Sequence, residues 1–143
     1  MWRRVIDANV LAKVFAEEEG TEQAIALTQG AELFAPDLIG PELVNVLWKK
    51  VRRGEMDGPA AKAAGAAFAR MPLSIVPSRE LSGAALSLSI MLDHPAYDCF
   101  YLALASAGRM SLVTEDQRLR SAIRSAGWEG ARLLTLNEAS SPT

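Results

Sequence analysis

The sequence predicts an α/β domain whose parallel sheet is covered by helices on both faces. Short apolar runs alternate with one or two helical segments along the whole chain. No hairpin signal joins successive runs, so each strand must return through a crossover, the connection that parallel pairing requires. The 143 residues, half of them hydrophobic, form one unit with no internal repeat and no linker long enough to divide it. Residues 1–138 are therefore expected to form a single domain, with 139–143 as a disordered tail.

The first strand is predicted at Arg3 to Ile6, where Val5-Ile6 suit burial on both faces. A helix follows from Asn9 to Glu18, with Val10, Leu11, Val14 and Phe15 on one stripe, and Gly20 ends it. Thr21 is placed as the cap of a second helix closing at Gly30. Leu33-Phe34-Ala35 forms the second strand, stopped by Pro36. Gly40-Pro41 opens a helix that runs to Gly54, with proline at its first position. Asp57-Gly58-Pro59 opens an alanine-rich helix ending near Arg70. Leu73 to Val76 forms the third strand between two prolines. A helix from Ser78 reaches about Met91, and another begins at His94-Pro95-Ala96 and ends at Gly108. Ser111-Leu112-Val113 is the fourth strand, Glu115 to Ser125 the seventh helix, and Arg132-Leu133-Leu134 the fifth strand.

Composition narrows the function. Fifteen basic and 17 acidic residues give a net charge of −2, which excludes a protein that coats nucleic acid by bulk positive charge. The 24 alanines and 6% aromatic content point to helices that pack through small residues. One cysteine and one histidine exclude a disulfide framework, a thiolate metal cluster and a multi-histidine zinc site. No 18-residue uncharged apolar stretch exists, so no membrane span is expected. Asp7 interrupts the apolar region that a signal peptide needs, and the reading is a soluble, cytoplasmic protein.

Ligands of open parallel sheets sit beyond the carboxyl ends of the strands. Asp7 directly follows the first strand, and Asp116 follows the fourth. Glu42 and Asp98 stand in the first turns of helices whose amino ends face the same rim. An acid in a first helical turn ordinarily serves the helix dipole. Four acids converging on one rim would instead repel one another, and a divalent cation relieves that repulsion. An oxygen-only donor set, without histidine or cysteine, suits Mg²⁺ or Mn²⁺.

These segments resemble the motifs of one family. Val5-Ile6-Asp7-Ala8-Asn9-Val10-Leu11 resembles the opening motif of PIN-domain ribonucleases. Pro41-Glu42-Leu43-Val44-Asn45-Val46-Leu47 is similar to the second motif, and Tyr97-Asp98-Cys99-Phe100-Tyr101-Leu102-Ala103-Leu104-Ala105 to the third. Leu112-Val113-Thr114-Glu115-Asp116-Gln117-Arg118-Leu119 is similar to the Thr-x-Asp segment. The motifs stand in family order over nearly the whole chain. Length and the third motif are nearest to VapC-type toxins of prokaryotic toxin–antitoxin pairs.

The resemblance implies a three-layer fold with strand order 3-2-1-4-5 and about seven helices. It implies a Mg²⁺- or Mn²⁺-dependent RNA endonuclease, a homodimer and a cognate antitoxin. Asp7, Glu42, Asp98 and Asp116 match the acidic quartet, with Asp7 and Asp98 as principal metal ligands. Asn9 and Thr114 match the auxiliary polar positions. Glu115 departs from the pattern as an extra acid and is read as serving its own helix from the solvent side. A catalytically inactive PIN-like protein- or RNA-binding module is the alternative, and the four retained acids argue against it. A receiver-like phosphoacceptor would need adjacent acids early in the chain and a lysine after the fifth strand. Neither is present.

Lys49, Lys50, Arg52 and Arg53 cluster at the end of the Glu42 helix, and Arg118, Arg120 and Arg124 follow Asp116. A solvated face with favourable helix-end charge accounts for them. A phosphate-tracking patch is the functional alternative, with Arg118, Lys49 and Arg52 as the RNA-contact candidates. His94 is read as a cap or surface residue rather than a general base, and Asp93 as a cap at the helix start. Cys99 is read as a buried small hydrophobe, Trp48 as core or interface, and Asp37 as structural.

Overall fold

In the computed structural model, which describes residues 1–140, the apolar runs become β1 (Trp2–Ile6), β2 (Ala31–Pro36), β3 (Ser74–Val76), β4 (Ser111–Val113) and β5 (Leu133–Leu134). All pairings are parallel and the order is β3-β2-β1-β4-β5, as the resemblance implied. Consecutive strand residues point to opposite faces. Val5 and Ile6 are both fully buried, as are Leu112 and Val113, so helices cover both faces of the central strands. The pairings Val5↔Leu112 and Ile6↔Val113 end β1 and β4 level with each other. Asp7 and Thr114 therefore leave the sheet side by side.

Eight helices surround the sheet among the described residues: α1 (Ala8–Ala12), α2 (Thr21–Gly30), α3 (Ile39–Arg52), α4 (Gly58–Ala69), α5 (Ser78–Leu92), α6 (Ala96–Gly108), α7 (Gln117–Ala126) and α8 (Leu136–Ser140). The central one is α6, which packs across β1, β2 and β4 and against α5. Cys99, Leu102, Ala103, Leu104 and Ala105 are all buried, a nearly all-round burial that alanines permit by allowing close approach. The Cys99 thiol is accordingly pushed up to about 11, by burial first and the Asp98 charge second.

Several elements differ from expectation for local reasons. The first helix stops at Ala12 rather than Glu18. Lys13, Val14 and Phe15 donate to carbonyls three residues back, a tightened last turn. The acidic run Glu17-Glu18-Glu19 would stand at a helix carboxyl end, where negative charge is unfavourable. Glu18 instead pairs with Lys50, and lies 3.6 Å from Lys13. Thr21 caps that acidic turn and not α2: its hydroxyl accepts from the Glu18 N–H and donates to the Ala16 carbonyl. Asp93 closes α5 in the left-handed region, at φ 49°, and does not open α6. Trp48 is 53% exposed and is not part of the core.

The eighth helix exceeds the seven expected, and it removes Ala139 and Ser140 from the expected tail. Thr135 and Glu138 form a reciprocal capping box, Thr135 N–H donating to Glu138 at 2.9 Å and Glu138 N–H to Thr135 at 3.2 Å. Residues 141–143 of that tail lie outside the described residues. Glu115 accepts from the Leu136 N–H at 3.1 Å, so it caps α8 and does not serve the helix after Asp116. Asp37 is structural, as expected. It accepts from the Ser78 N–H at 3.1 Å and from the Ser78 hydroxyl, tying the end of β2 to the start of α5.

Candidate active site at the carboxyl rim of the sheet

The acids reach one rim because four separate elements end or begin there. Asp7 leaves β1 in extended conformation and caps α1, its Oδ1 accepting from the Val10 N–H at 2.8 Å. Asp116 does the same for α7, accepting from the Arg118 and Leu119 N–H groups at 2.9 and 3.2 Å. Glu42 and Asp98 project from the first turns of α3 and α6. Strand order reverses at β1, so this rim is the topological switch point where such sheets bind ligands.

The four carboxylates act on one another electrostatically. Asp7 is raised to about 6, chiefly by burial, with the charges of Asp98 and Asp116 adding to it and the Thr114 hydroxyl and Val10 N–H opposing it. Glu42 is raised by burial, opposed by the Tyr101 hydroxyl and reinforced by Asp98. Asp98 is raised by burial and by Asp116, with His94 opposing. Asp7, Glu42 and Asp98 thus hold protons more tightly than isolated carboxylates do, and a divalent cation would relieve that.

Supporting side chains fix the geometry. Tyr101, 2% exposed, donates its hydroxyl to Glu42 Oε1 at 2.5 Å. Burial and the Glu42 carboxylate push the phenol well above its ordinary value, so it stays a donor. Thr114, 1% exposed, accepts from the Asp116 N–H at 3.1 Å and touches Asp7, joining the β1 and β4 acids. His94 Nε2 lies 2.7 Å from Asp98 Oδ2, with its side chain 8% exposed. Ligand atoms of His94, Asp98 and Asp116 all fall within 4.8 Å of one another.

From sequence, His94 is set aside as a cap or surface residue and Tyr101 is not singled out. Their only signal is spacing: His94 stands four residues before Asp98 and Tyr101 three after it, distances that bring side chains together on a helix. His94 is therefore neither a surface residue nor a helix cap. Its backbone carbonyl accepts from Ser89 at 2.6 Å, which anchors the loop entering α6.

Two clefts flank the acids. One, of about 280 Å³, is lined by Asn9, Glu42, Asn45, Lys49, Lys50 and Arg53. Asn9 is exposed there. Lys50 is neutralised by Glu18, whereas Lys49 and Arg53 form no ion pair among the described residues. Arg52 instead lies over the exposed Trp48 ring at 5.4 Å. The second cleft, of about 710 Å³ between α5 and α7, is lined by His94, Gln117, Arg118 and Ser121 among others. Arg118 thus adjoins the acids from the α7 side.

The PIN domain family model matches residues 4–124. The chain is 32% identical over 118 residues to a protein named Ribonuclease VapC3 from Pyrobaculum aerophilum, covering 80% of this chain and 90% of that one. Among solved structures, one from Pyrobaculum aerophilum superposes with a TM-score of 0.70 at 19% identity, covering 97% of this chain and 93% of the other. A toxin–antitoxin complex from Klebsiella pneumoniae gives 0.62 at 16% identity, covering 93% and 97%. The Sarcin-Ricin loop cleaving toxin VapC20 of Mycobacterium tuberculosis gives 0.63 at 14% identity, covering 90% and 98%. At these identities the structural matches speak for the fold. The family-model match spans the strand acids, the helix acids and the Thr-x-Asp segment alike, and the chain belongs to the PIN-domain family.

Proposed function

We propose that the protein is a divalent-metal-dependent endoribonuclease, the toxin of a VapBC-like toxin–antitoxin pair. The observation that carries this is the convergence of Asp7, Glu42, Asp98 and Asp116 at the switch point of a PIN fold, with their charges mutually coupled. The relative named a ribonuclease supports the reaction class. The fold's likeness to a toxin–antitoxin complex supports an antitoxin partner. No helix among the described residues is long and apolar enough to cross a membrane, in keeping with action in the cytoplasm. A homodimer is the expected state.

The donor set fits a hard divalent cation. Its charged oxygens come from four carboxylates, and burial together with neighbouring charge makes Asp7, Glu42 and Asp98 costly to ionise without a cation. Asp7 and Asp98 would be the principal ligands, with Asp116 and Glu42 completing the set. Mg²⁺ or Mn²⁺ bound there lowers the pKa of water and neutralises phosphoryl charge. The chain's own groups do the rest. Tyr101 holds Glu42 through Oε1 and leaves Oε2 free to accept a proton from water. Lys49, Arg53 and Arg118 stand ready for the backbone phosphates on either side. Asn9 can orient a phosphate or ribose oxygen beside Glu42.

His94 holds Asp98 through Oδ2 and would thereby orient that carboxylate toward a metal. His94→Ala should weaken Mn²⁺ binding by about tenfold or more in calorimetry, while His94→Gln, which keeps an N–H donor, should retain most of it. Equal affinities for Ala and wild type would remove that role. The function itself is tested by incubating the protein with total cellular RNA. Discrete fragments should appear with Mg²⁺ or Mn²⁺ and disappear with chelator. Intact RNA under all ion conditions, with folded protein, would refute the nuclease reading in favour of a binding module.

A further inference from the structure

At the end of the sheet opposite the acids, a cleft of about 610 Å³ opens between the start of β1, the α6–β4 turn and the loop entering β5. Arg3, Arg4, Arg109 and Arg132 line it, together with Trp2 and Glu129. The Arg3 guanidinium lies over the Phe34 ring at 4.8 Å, which leaves those of Arg4, Arg109 and Arg132 with one acid in the cleft lining, and none of the three forms an ion pair among the described residues. The Arg4 Nε is buried with no hydrogen-bond partner, although its Nη1 reaches the Arg3 carbonyl at 3.3 Å. Burial and the nearby Arg132 charge hold the Arg4 guanidinium below its ordinary value. An unmet buried donor costs stability unless something accepts from it.

The surroundings specify what would accept. The Arg4 guanidinium lies over the Trp2 ring at 4.6 Å, and Trp2 is 59% exposed. An indole backed by a cation and open to solvent is a stacking platform for a nucleobase. Arg109 occupies the left-handed region at φ 54° where it ends α6, a position that glycine fills at lower cost. The opposite wall is held by Gly130, where any Cβ would meet the Trp128 ring at 2.3 Å. Guanidiniums match phosphate oxygens in paired hydrogen bonds. An acidic peptide could satisfy the arginines but offers nothing regular for the exposed indole.

We propose that this cleft is a second RNA-binding site, in which Arg4, Arg109 and Arg132 hold strand phosphates and Trp2 stacks a base. The proposal rests on the ribonuclease reading, because its ligand is a remote part of the same substrate. Five residues of extended chain separate Trp2 from Asp7, about 17 Å through the sheet. An RNA that reaches both sites must wrap the molecule, so the site favours long or folded substrates over short fragments.

The test uses a fluorescein-labelled single-stranded RNA of about 20 nucleotides in chelator, read by anisotropy. Arg109→Glu/Arg132→Glu alters two exposed positions and leaves the buried part of Arg4 in place. The double variant should raise Kd by about tenfold in low salt and flatten the salt dependence by one to two ions, at about 0.7 ion per phosphate. Trp2→Ala should raise Kd without changing the salt slope, and it serves as the second variant if the first fails to fold. With Mn²⁺ present, the double variant should raise KM and leave kcat unchanged. Unchanged Kd, slope and KM in folded variants would overturn the proposal while wild-type cleavage preserved the nuclease reading. Wild-type protein that neither binds nor cleaves RNA would overturn both. Adenosine monophosphate, or oligo-aspartate, competing as well as unlabelled RNA would overturn the strand reading in favour of a nucleotide or peptide pocket.

Discussion

Asp98→Asn should give a folded protein whose metal-dependent RNA cleavage falls by about three orders of magnitude, a loss of about 4 kcal/mol of transition-state stabilisation. Asp98 is placed for this effect by its neighbours. Its carboxylate is coupled to both Asp116 and His94, and its charge reaches Glu42 and Asp7. Asparagine keeps the shape and still accepts from His94 Nε2, so circular dichroism should match wild type and thermal unfolding should come no earlier than in wild type. Only the charge is removed. Cleavage within threefold of wild type would show that the chemistry does not run through this carboxylate.

The second large effect is on stability and has the opposite direction. Asp7 is lifted from 3.8 to about 6 in the metal-free fold, chiefly by burial. A raised carboxyl favours the folded state when protonated. Its contribution is fully present below the unfolded pKa near 4 and is lost as pH rises through about 6. At pH 8 the ionised Asp7 therefore destabilises the metal-free protein by up to about 3 kcal/mol. Asp7→Asn removes that charge and keeps the α1 cap, because asparagine also accepts from the Val10 N–H. In chelator at pH 8 the variant should melt several degrees above wild type, and the difference should vanish by about pH 4. Adding Mn²⁺ should stabilise wild type by mass action and narrow the gap. A variant less stable than wild type in chelator at pH 8 would mean that the Asp7 charge is not under strain. The site would then trade little stability for its function.

Much of this was legible in the sequence because it is written in local chemistry. Val5-Ile6 followed by Asp7, and Leu112-Val113 followed by Thr114 and Asp116, announce buried strands ending in polar residues. Their parallel crossovers put those ends on one rim. Glu42 after Pro41 and Asp98 after Pro95 mark helix starts facing the same way. The eighth helix was also written locally, as the Thr135–Glu138 capping box, but the two-residue β5 beside it left too little pattern to anchor it. What local chemistry does not encode is where a side chain turns once elements pack. His94 looks like a loop residue before a proline until Ser89 anchors its carbonyl and its ring meets Asp98. Arg52 and Arg53 are adjacent in sequence, yet one lies on Trp48 and the other lines the cleft beside Glu42. The arginines of the opposite cleft come from three separate segments, and only the sheet brings them together.

The central claim, that the acidic rim is a divalent-ion-dependent ribonuclease centre, is tested most directly by titrating Mn²⁺ into chelator-treated protein. Ion binding is followed by calorimetry, and RNA cleavage in parallel samples. Half-saturation of binding and half-maximal cleavage should fall at the same free Mn²⁺ concentration, and both should be lost in Asp98→Asn. Cleavage that persists in chelator, or Mn²⁺ binding that survives Asp98→Asn unchanged, would contradict it.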